Sequence, residues 1–252
     1  MNERVAKALE FLGLDLSHLK VLDGGTGETA IFVRQIADKI GERGEIVGIE
    51  LIDSLCQNGQ EVLEEAGIEN VTLRKADLRS IPYPDRYFDL VSLYCTVPSL
   101  EGFEKPGHVP HVFGEAYRVL KCGGHILIVD DAEPSEDCPE SQRLAWEYVL
   151  WEVEYVTFAG DTHELYYSPQ EIAQLLKDAG FKKVDWMWID HGKTDEIESR
   201  IGWIYWILDL YRDRVSDEVY EKYRKQGDQI ICRMKEQGVI DLPVFAVKGR
   251  KL

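Results

Sequence analysis

The chain has 252 residues, enough for one large α/β domain with insertions and too few to require two. Its residues are 44% hydrophobic and 10% aromatic, ample for a core, and no stretch approaches the roughly 20 apolar residues that span a bilayer. Lys plus Arg number 29 against 46 Asp plus Glu, a formal net charge of −17, so a polyanion is a poor partner and DNA or bulk RNA is disfavoured as substrate.

The first half alternates short β-rich runs with helical periodicity, the pattern of a parallel sheet with crossover helices. Residues 20–23 form the first expected strand, followed by a glycine loop and an amphipathic helix carrying Val33, Ile36, Ala37 and Ile40. Further strands are expected at residues 45–50, 71–75, 88–94 and 125–130, with helices over 55–66 and 109–120 between them. Residues 139–158 then read as a helix dense in aromatics. Ser168-Pro169-Gln170-Glu171 is a capping box with proline at the first helical position, and Gly180 supplies the stop. A sixth strand at 183–189, helices near 196–212 and 216–237, and a last strand at 243–247 complete the chain. One domain over residues 1–252 is the simplest account: a cofactor-binding half (1–131), with helical insertions at 132–167 and 192–241 forming a substrate lid.

Met1-Asn2-Glu3-Arg4 opens without an apolar run, so a secretory leader is not expected and a cytoplasmic protein is. The five cysteines (Cys56, Cys95, Cys122, Cys138, Cys232) are scattered and form no CxxC pair. Neither a disulfide framework nor a metal site is expected; thiols in core or turn positions are.

Asp23-Gly24-Gly25-Thr26-Gly27-Glu28-Thr29 closes a strand and opens a helix, where glycines let backbone approach a ligand near a helix N-terminus. A tight turn without a ligand has the same composition. Gly25-Thr26-Gly27-Glu28-Thr29-Ala30 also fits the dinucleotide fingerprint, with Glu50 placed to hold a ribose. Asp23 tilts the balance, because a carboxylate there suits a cationic ligand and repels a pyrophosphate.

Four segments together add a resemblance. The glycine loop resembles the first motif of class I S-adenosylmethionine-dependent methyltransferases, with Thr29 where a further glycine is common. Val47-Gly48-Ile49-Glu50 is similar to the second-strand motif of that class. Ala76-Asp77-Leu78, with Ile81-Pro82-Tyr83-Pro84-Asp85 and Phe88-Asp89-Leu90-Val91, resembles the adenine-contact region and fourth strand. Residues 115–125, from Glu115 through Gly123-Gly124-His125, resemble the phrase leading into the fifth strand, with Cys122 where proline is usual. Each segment alone is common; their joint order and spacing over residues 21–131 are specific. The flavour is that of the methyltransferase-11 group, which includes quinone-ring C-methyltransferases.

The resemblance implies a Rossmann-like sheet of order 3-2-1-4-5-7-6 with the last strand antiparallel and helices on both faces. It also implies S-adenosyl-L-methionine as cofactor and Asp23, Gly24, Gly25, Thr26, Gly27, Thr29, Glu50, Leu51, Asp77, Leu78 and Tyr94 as cofactor-binding residues. Glu50 would take both ribose hydroxyls; the Asp77 side chain would take the adenine amino group, and the Leu78 amide would meet the ring.

Methyl transfer is an in-line displacement on an activated carbon, so the protein mainly aligns the acceptor and removes water. A catalytic triad is not expected, and none is visible. Residues 94–99 lack the Asn/Asp-Pro-Pro-aromatic phrase used on planar nitrogens, which disfavours adenine or glutamine acceptors. Cys95 is expected as a small packed thiol, and His108 and His111 as exposed loop residues. Those two histidines, with Asp130 and Asp131 at the end of the fifth strand, are the candidate bases. Trp146, Trp151, Tyr155 and Tyr166 on the first insertion are candidates to line an apolar acceptor pocket, although aromatics at helical spacing are more often core. The expected partner is a small-molecule methyl acceptor. A non-catalytic S-adenosylmethionine-binding protein and a nicotinamide-dependent oxidoreductase are the alternatives.

Overall fold

A computed structural model of the chain describes residues 2–101, 108–160, 166–190, 192 and 197–252. The strands are β1 (Lys20–Gly24), β2 (Glu45–Glu50), β3 (Val71–Lys75), β4 (Phe88–Tyr94), β5 (Leu120–Asp131), β6 (Lys182–Asp190) and β7 (Val244–Arg250). They form one sheet ordered β3-β2-β1-β4-β5-β7-β6. The pairs among β1 to β5 are parallel, whereas β7 runs antiparallel to both β5 and β6. This is the expected order. It also makes β6 parallel to β1–β5, so Gly24, Glu50, Tyr94, Asp131 and Asp190 all end at one edge.

Helices α1 (Glu3–Leu12), α2 (Ile31–Ile40) and α3 (Asp53–Glu65) cover one face; α4 (Val97–Glu101), α5 (His108–Val119) and α7 (Pro169–Asp178) belong to the other. Strand alternation divides the core between them. Val21, Ile46, Leu90 and Leu127 point toward α1 and α2, while Leu22, Val47, Val91 and Ile126 point toward α5 and α7. The α7 start matches the sequence reading: Ser168 and Glu171 form the reciprocal capping box, with Pro169 at the first helical position. Helix α1 was not expected from the sequence. Asn2 caps it, and Val5, Ala8 and Leu12 bury its inner stripe. Its Arg4 reaches Asp190 (3.3 Å) and Asp241 (3.2 Å), tying the first helix to the far side of the sheet edge.

The remaining helices, α6 (Glu140–Phe158), α8 (Ile197–Leu210) and α9 (Asp217–Gln237), pack chiefly on one another. They have their own core, in which Trp151, Tyr155, Ile204, Leu208, Tyr223 and Ile230 are buried. This unit leaves the sheet after β5 and β6 and returns at β7, all at the edge where the parallel strands end.

Candidate functional site

At that edge a cavity of about 270 Å³ opens between the glycine loop, the ends of β2 and β3, and the segment from Cys95 to Leu100. Its size lies near the lower end of the roughly 300–1,000 Å³ usual for small-molecule sites. β1 ends at Gly24, and the chain then turns through Gly25 (φ 68°) and Gly27 (φ 67°), both left-handed. Gly25 and Thr26 donate backbone hydrogen bonds to Ile49 O, at 2.8 and 3.2 Å, which pins the loop to β2. A Cβ on Gly25 would sit 2.7 Å from Thr96 Oγ1, whereas one on Gly27 would meet nothing within 4 Å. Gly25 is therefore required by packing, and Gly27 leaves open space at the cavity wall. Thr29 is exposed and does not line the cavity; Ala30 beside it takes the left-handed turn before α2.

Glu50 lies across the mouth of the loop, 9% exposed. Its Oε2 accepts from Gly27 N (3.1 Å), and its Oε1 accepts from Leu51 N (2.8 Å) and Ile52 N (3.1 Å). The carboxylate is thus aimed by backbone on both sides, with Leu51 contributing its amide and an exposed side chain.

Asp77 caps the 3-10 turn Leu78–Ser80 by accepting from Arg79 N at 2.8 Å. The Arg79 guanidinium pairs with the same carboxylate (Nη2 to Oδ2, 2.7 Å) and holds it below the usual carboxylate range. Buried Leu78 closes the floor beneath Gly24, where an added Cβ would lie 2.8 Å from it. His108 opens α5 rather than standing in a loop; it lines the cavity, with Nδ1 3.0 Å from Leu100 O and Nε2 3.4 Å from Arg79 Nη1. His111, one turn on, is exposed and lies outside the lining.

Asp23 is almost wholly buried, and Ser92 Oγ donates to its Oδ1 at 2.7 Å. Burial, reinforced by the nearby Glu50 charge, pushes its carboxyl up to about 7. Tyr94 is half-buried on the opposite face of the sheet, stacked on Phe32 with ring centroids 5.8 Å apart, and does not line the cavity. Its hydroxyl is pushed up to about 12 by burial. Cys95 departs from expectation: it is exposed, lines the cavity and sits at φ 52°. None of the five cysteines is buried, and none is in a disulfide. Asp130 is buried at the end of β5, with Oδ2 accepting from Val97 N (3.3 Å); Asp131 is partly exposed next to it. Among the described residues no group of acids, histidines and cysteines is arranged to hold a metal.

None of the four insertion aromatics lines the cavity at the strand ends. Trp151 and Tyr155 stack on each other inside the helical unit (6.1 Å), where Trp151 Nε1 donates to Tyr223 O and the Tyr155 hydroxyl donates to Leu208 O. Each has an apolar body and one polar group, and α8 and α9 satisfy both, so they are core. Trp146 and Tyr166 are partly buried and meet edge to face at 5.3 Å. A wider groove of about 1250 Å³ runs between α6 and α9; Trp151 borders it, but no residue of the glycine loop or strand ends does.

Sequence reasoning missed Ile52, Leu55, Arg79, Leu100 and Val112 as cavity residues. Arg79 had a signal: a residue two positions after an aspartate that opens a turn is placed to bond its side chain. Among the described side chains lining the cavity, Arg79 alone carries a fixed positive charge, and Asp77 neutralises it. That donor set fits a cationic nucleoside and offers little to a pyrophosphate.

A family model described as a methyltransferase domain matches residues 15–180. The chain is also 27% identical over 183 residues to the ubiquinone/menaquinone biosynthesis C-methyltransferase UbiE of Shewanella sp. strain ANA-3, covering 67% of this chain and 68% of that one. Its fold is similar to that of a putative methyltransferase from Bacillus halodurans (TM-score 0.63, 21% identity, 99% of both chains). The YcgJ protein of Bacillus subtilis is likewise similar (TM-score 0.64, 18% identity, 98% of this chain and 97% of that one). The chain belongs to the methyltransferase-domain family. It is a class I S-adenosylmethionine-dependent methyltransferase.

Proposed function

We propose that this enzyme methylates a small aromatic acceptor, at an electron-rich ring carbon, in the space between the cofactor cavity and the α6–α8–α9 unit. One observation carries the reading: the cavity lies at the ends of β1–β4, and the helical unit rises from β5 and β6 at the same edge, where open α/β sheets bind their ligands. In this reading residues 1–131 hold the cofactor, and the insertions at 132–167 and 192–241 cover the acceptor. Glu50 takes the ribose hydroxyls, Asp77 and the Leu78 amide take adenine, and Asp23 balances the ammonium through the glycine loop. The cofactor supplies a methyl group already activated by its sulfonium. The chain aligns the acceptor carbon in line with it and excludes water. The methyl replaces a ring hydrogen, which leaves as a proton that a carboxylate at the end of β5 accepts in this reading.

The C-methyltransferase names of the relatives support carbon as the methylated atom. The experiment is turnover of radiolabelled S-adenosylmethionine with a panel of hydroxylated aromatics. Label on a ring carbon supports the reading; label only on added proteins overturns it. That second outcome has its own motive: Trp203, Trp206 and Leu210 are exposed along one side of α8, a surface on which a macromolecular acceptor would dock.

A further inference from the structure

The wall of the cavity beside Asp77 carries an arrangement that the resemblance does not supply. Asp77 Oδ1 accepts from the Arg79 backbone N–H (2.8 Å) and Nε (3.0 Å), while Oδ2 accepts from Nε (2.9 Å) and Nη2 (2.7 Å). A carboxylate offers about four lone-pair sites. Three N–H groups of one residue therefore occupy most of it and fix its plane, leaving about one site for a ligand. The far side of the guanidinium is tethered as well, with Nη1 3.4 Å from His108 Nε2. An arginine only donates and a carbonyl only accepts. These two contacts of His108 match the tautomer with the proton on Nδ1 facing Leu100 O and Nε2 accepting. Asp77, Arg79, Leu100 and His108 all line the same cavity.

We propose that Arg79 is a positioning residue for nucleobase selection: by locking the Asp77 carboxylate, it leaves one acceptor site for a 6-amino purine and offers a 6-oxo purine no donor from the Asp77–Arg79 pair. The inference rests on the placement of adenine at Asp77. A free arginine would swing to donate to a 6-oxo group, and a free carboxylate would rotate to accept from the ring N–H of such a base. The fork prevents both, so discrimination comes from the pair rather than from Asp77 alone.

The test is calorimetric titration of S-adenosylhomocysteine and its 6-oxo analogue, S-inosylhomocysteine, into the wild type, Arg79→Ala, Arg79→Lys and Asp77→Ala, with melting curves to verify folding. The wild type should prefer the 6-amino ligand by about thirtyfold or more, on the scale of one or two charge-assisted hydrogen bonds. Arg79→Ala should weaken that ligand about tenfold and change the 6-oxo ligand less than threefold, so the preference collapses. Arg79→Lys, which keeps the charge without the planar fork, should recover less than half of the lost preference. Parallel weakening of both ligands, or an undiminished preference, would overturn the inference. If Asp77→Ala itself leaves both affinities unchanged, the adenine placement fails, whatever Arg79 does.

Discussion

The Glu50 carboxylate accepts a hydrogen bond from Gly27 N at 3.1 Å, so the acid ending the second strand braces the loop that follows the first. The same group accepts from the Leu51 and Ile52 amides. One side chain thus aligns the loop, the strand end and the start of α3. Glu50→Ala should lower S-adenosylhomocysteine affinity at least tenfold, each charge-assisted bond being worth about 1.5–3 kcal/mol, and should also lower the melting temperature, because three amides lose a partner. Glu50→Gln keeps one acceptor oxygen and should fall between. Calorimetry and thermal melts on the three proteins check this ordering; equal affinity in folded Glu50→Ala protein would place the ribose elsewhere.

Asp23 gives a pH signature. Its carboxyl lies near 7 in the fold against an ordinary value of 3.8, with burial the largest cause. Between about pH 4 and 7 the folded state therefore holds a proton that the unfolded chain has released. The contribution of this group to stability is whole below pH 4 and is lost as pH rises toward 7. With the cofactor ammonium beside Asp23, as proposed above, binding would favour the charged form. Affinity should then rise about tenfold from pH 6 to pH 8, with proton release on binding at pH 6. Titrations in two buffers of different ionisation enthalpy measure that release, and Asp23→Asn should abolish it. A flat profile in the wild type would remove Asp23 from the binding site.

The two left-handed glycines should respond differently. Gly25→Ala meets both the φ 68° penalty, about 1–2 kcal/mol, and overlap with Thr96, so its main effect should be a lower melting temperature. Gly27→Ala carries a similar backbone penalty but points its methyl into open space, and the added group takes room at the cavity. It should retain more stability and lose more cofactor affinity than Gly25→Ala. The loss of melting temperature and the loss of affinity, measured on both, should rank the pair in opposite orders.

Trp151→Ala separates core from pocket. Truncating a buried tryptophan costs about 3–5 kcal/mol, and here it also strips Tyr223 O of its donor. Amide exchange should quicken across α6 and α9 while S-adenosylhomocysteine binding changes less than threefold. Trp146→Ala, at a partly buried edge pair, should leave exchange in those helices nearly unchanged. Similar exchange in the two variants would contradict the core assignment of Trp151.

The α/β half was legible because its signals are local and redundant. Alternation in residues 20–24 and 45–50, the glycine turn and the Ser168–Glu171 capping box each follow from backbone sterics and hydrogen bonding within a few residues. The positions of Gly25 and Glu50 at the cavity follow from that order. The side chains that complete the cavity were not legible, since Leu100 and Val112 arrive from helices whose approach depends on packing. Trp151 and Tyr155 show the opposite limit. Aromatic spacing alone does not distinguish a helix that lines a ligand site from one that buries its rings against two others. Helix α1 escaped notice because its inner stripe, Val5, Ala8 and Leu12, is short, and only the sheet it lands on gives it meaning.

The pairing of Asp190 with Val244 in the β6–β7 ladder makes residues 191–243 one excursion whose two ends are neighbours on a single rung. The entropy of closing such a loop grows only with the logarithm of its length. The sheet is therefore nearly indifferent to how much chain hangs there. A two-residue turn joining Asp190 to Val244 would close β6 and β7 into a plain β-hairpin, but it would strip α6 of the helices that share its core. Acceptor recognition, if it resides in that excursion, is therefore carried by α8 and α9 together with α6. New substrate ranges are then reached by exchanging the three helices as one unit between relatives, without retuning the cofactor half.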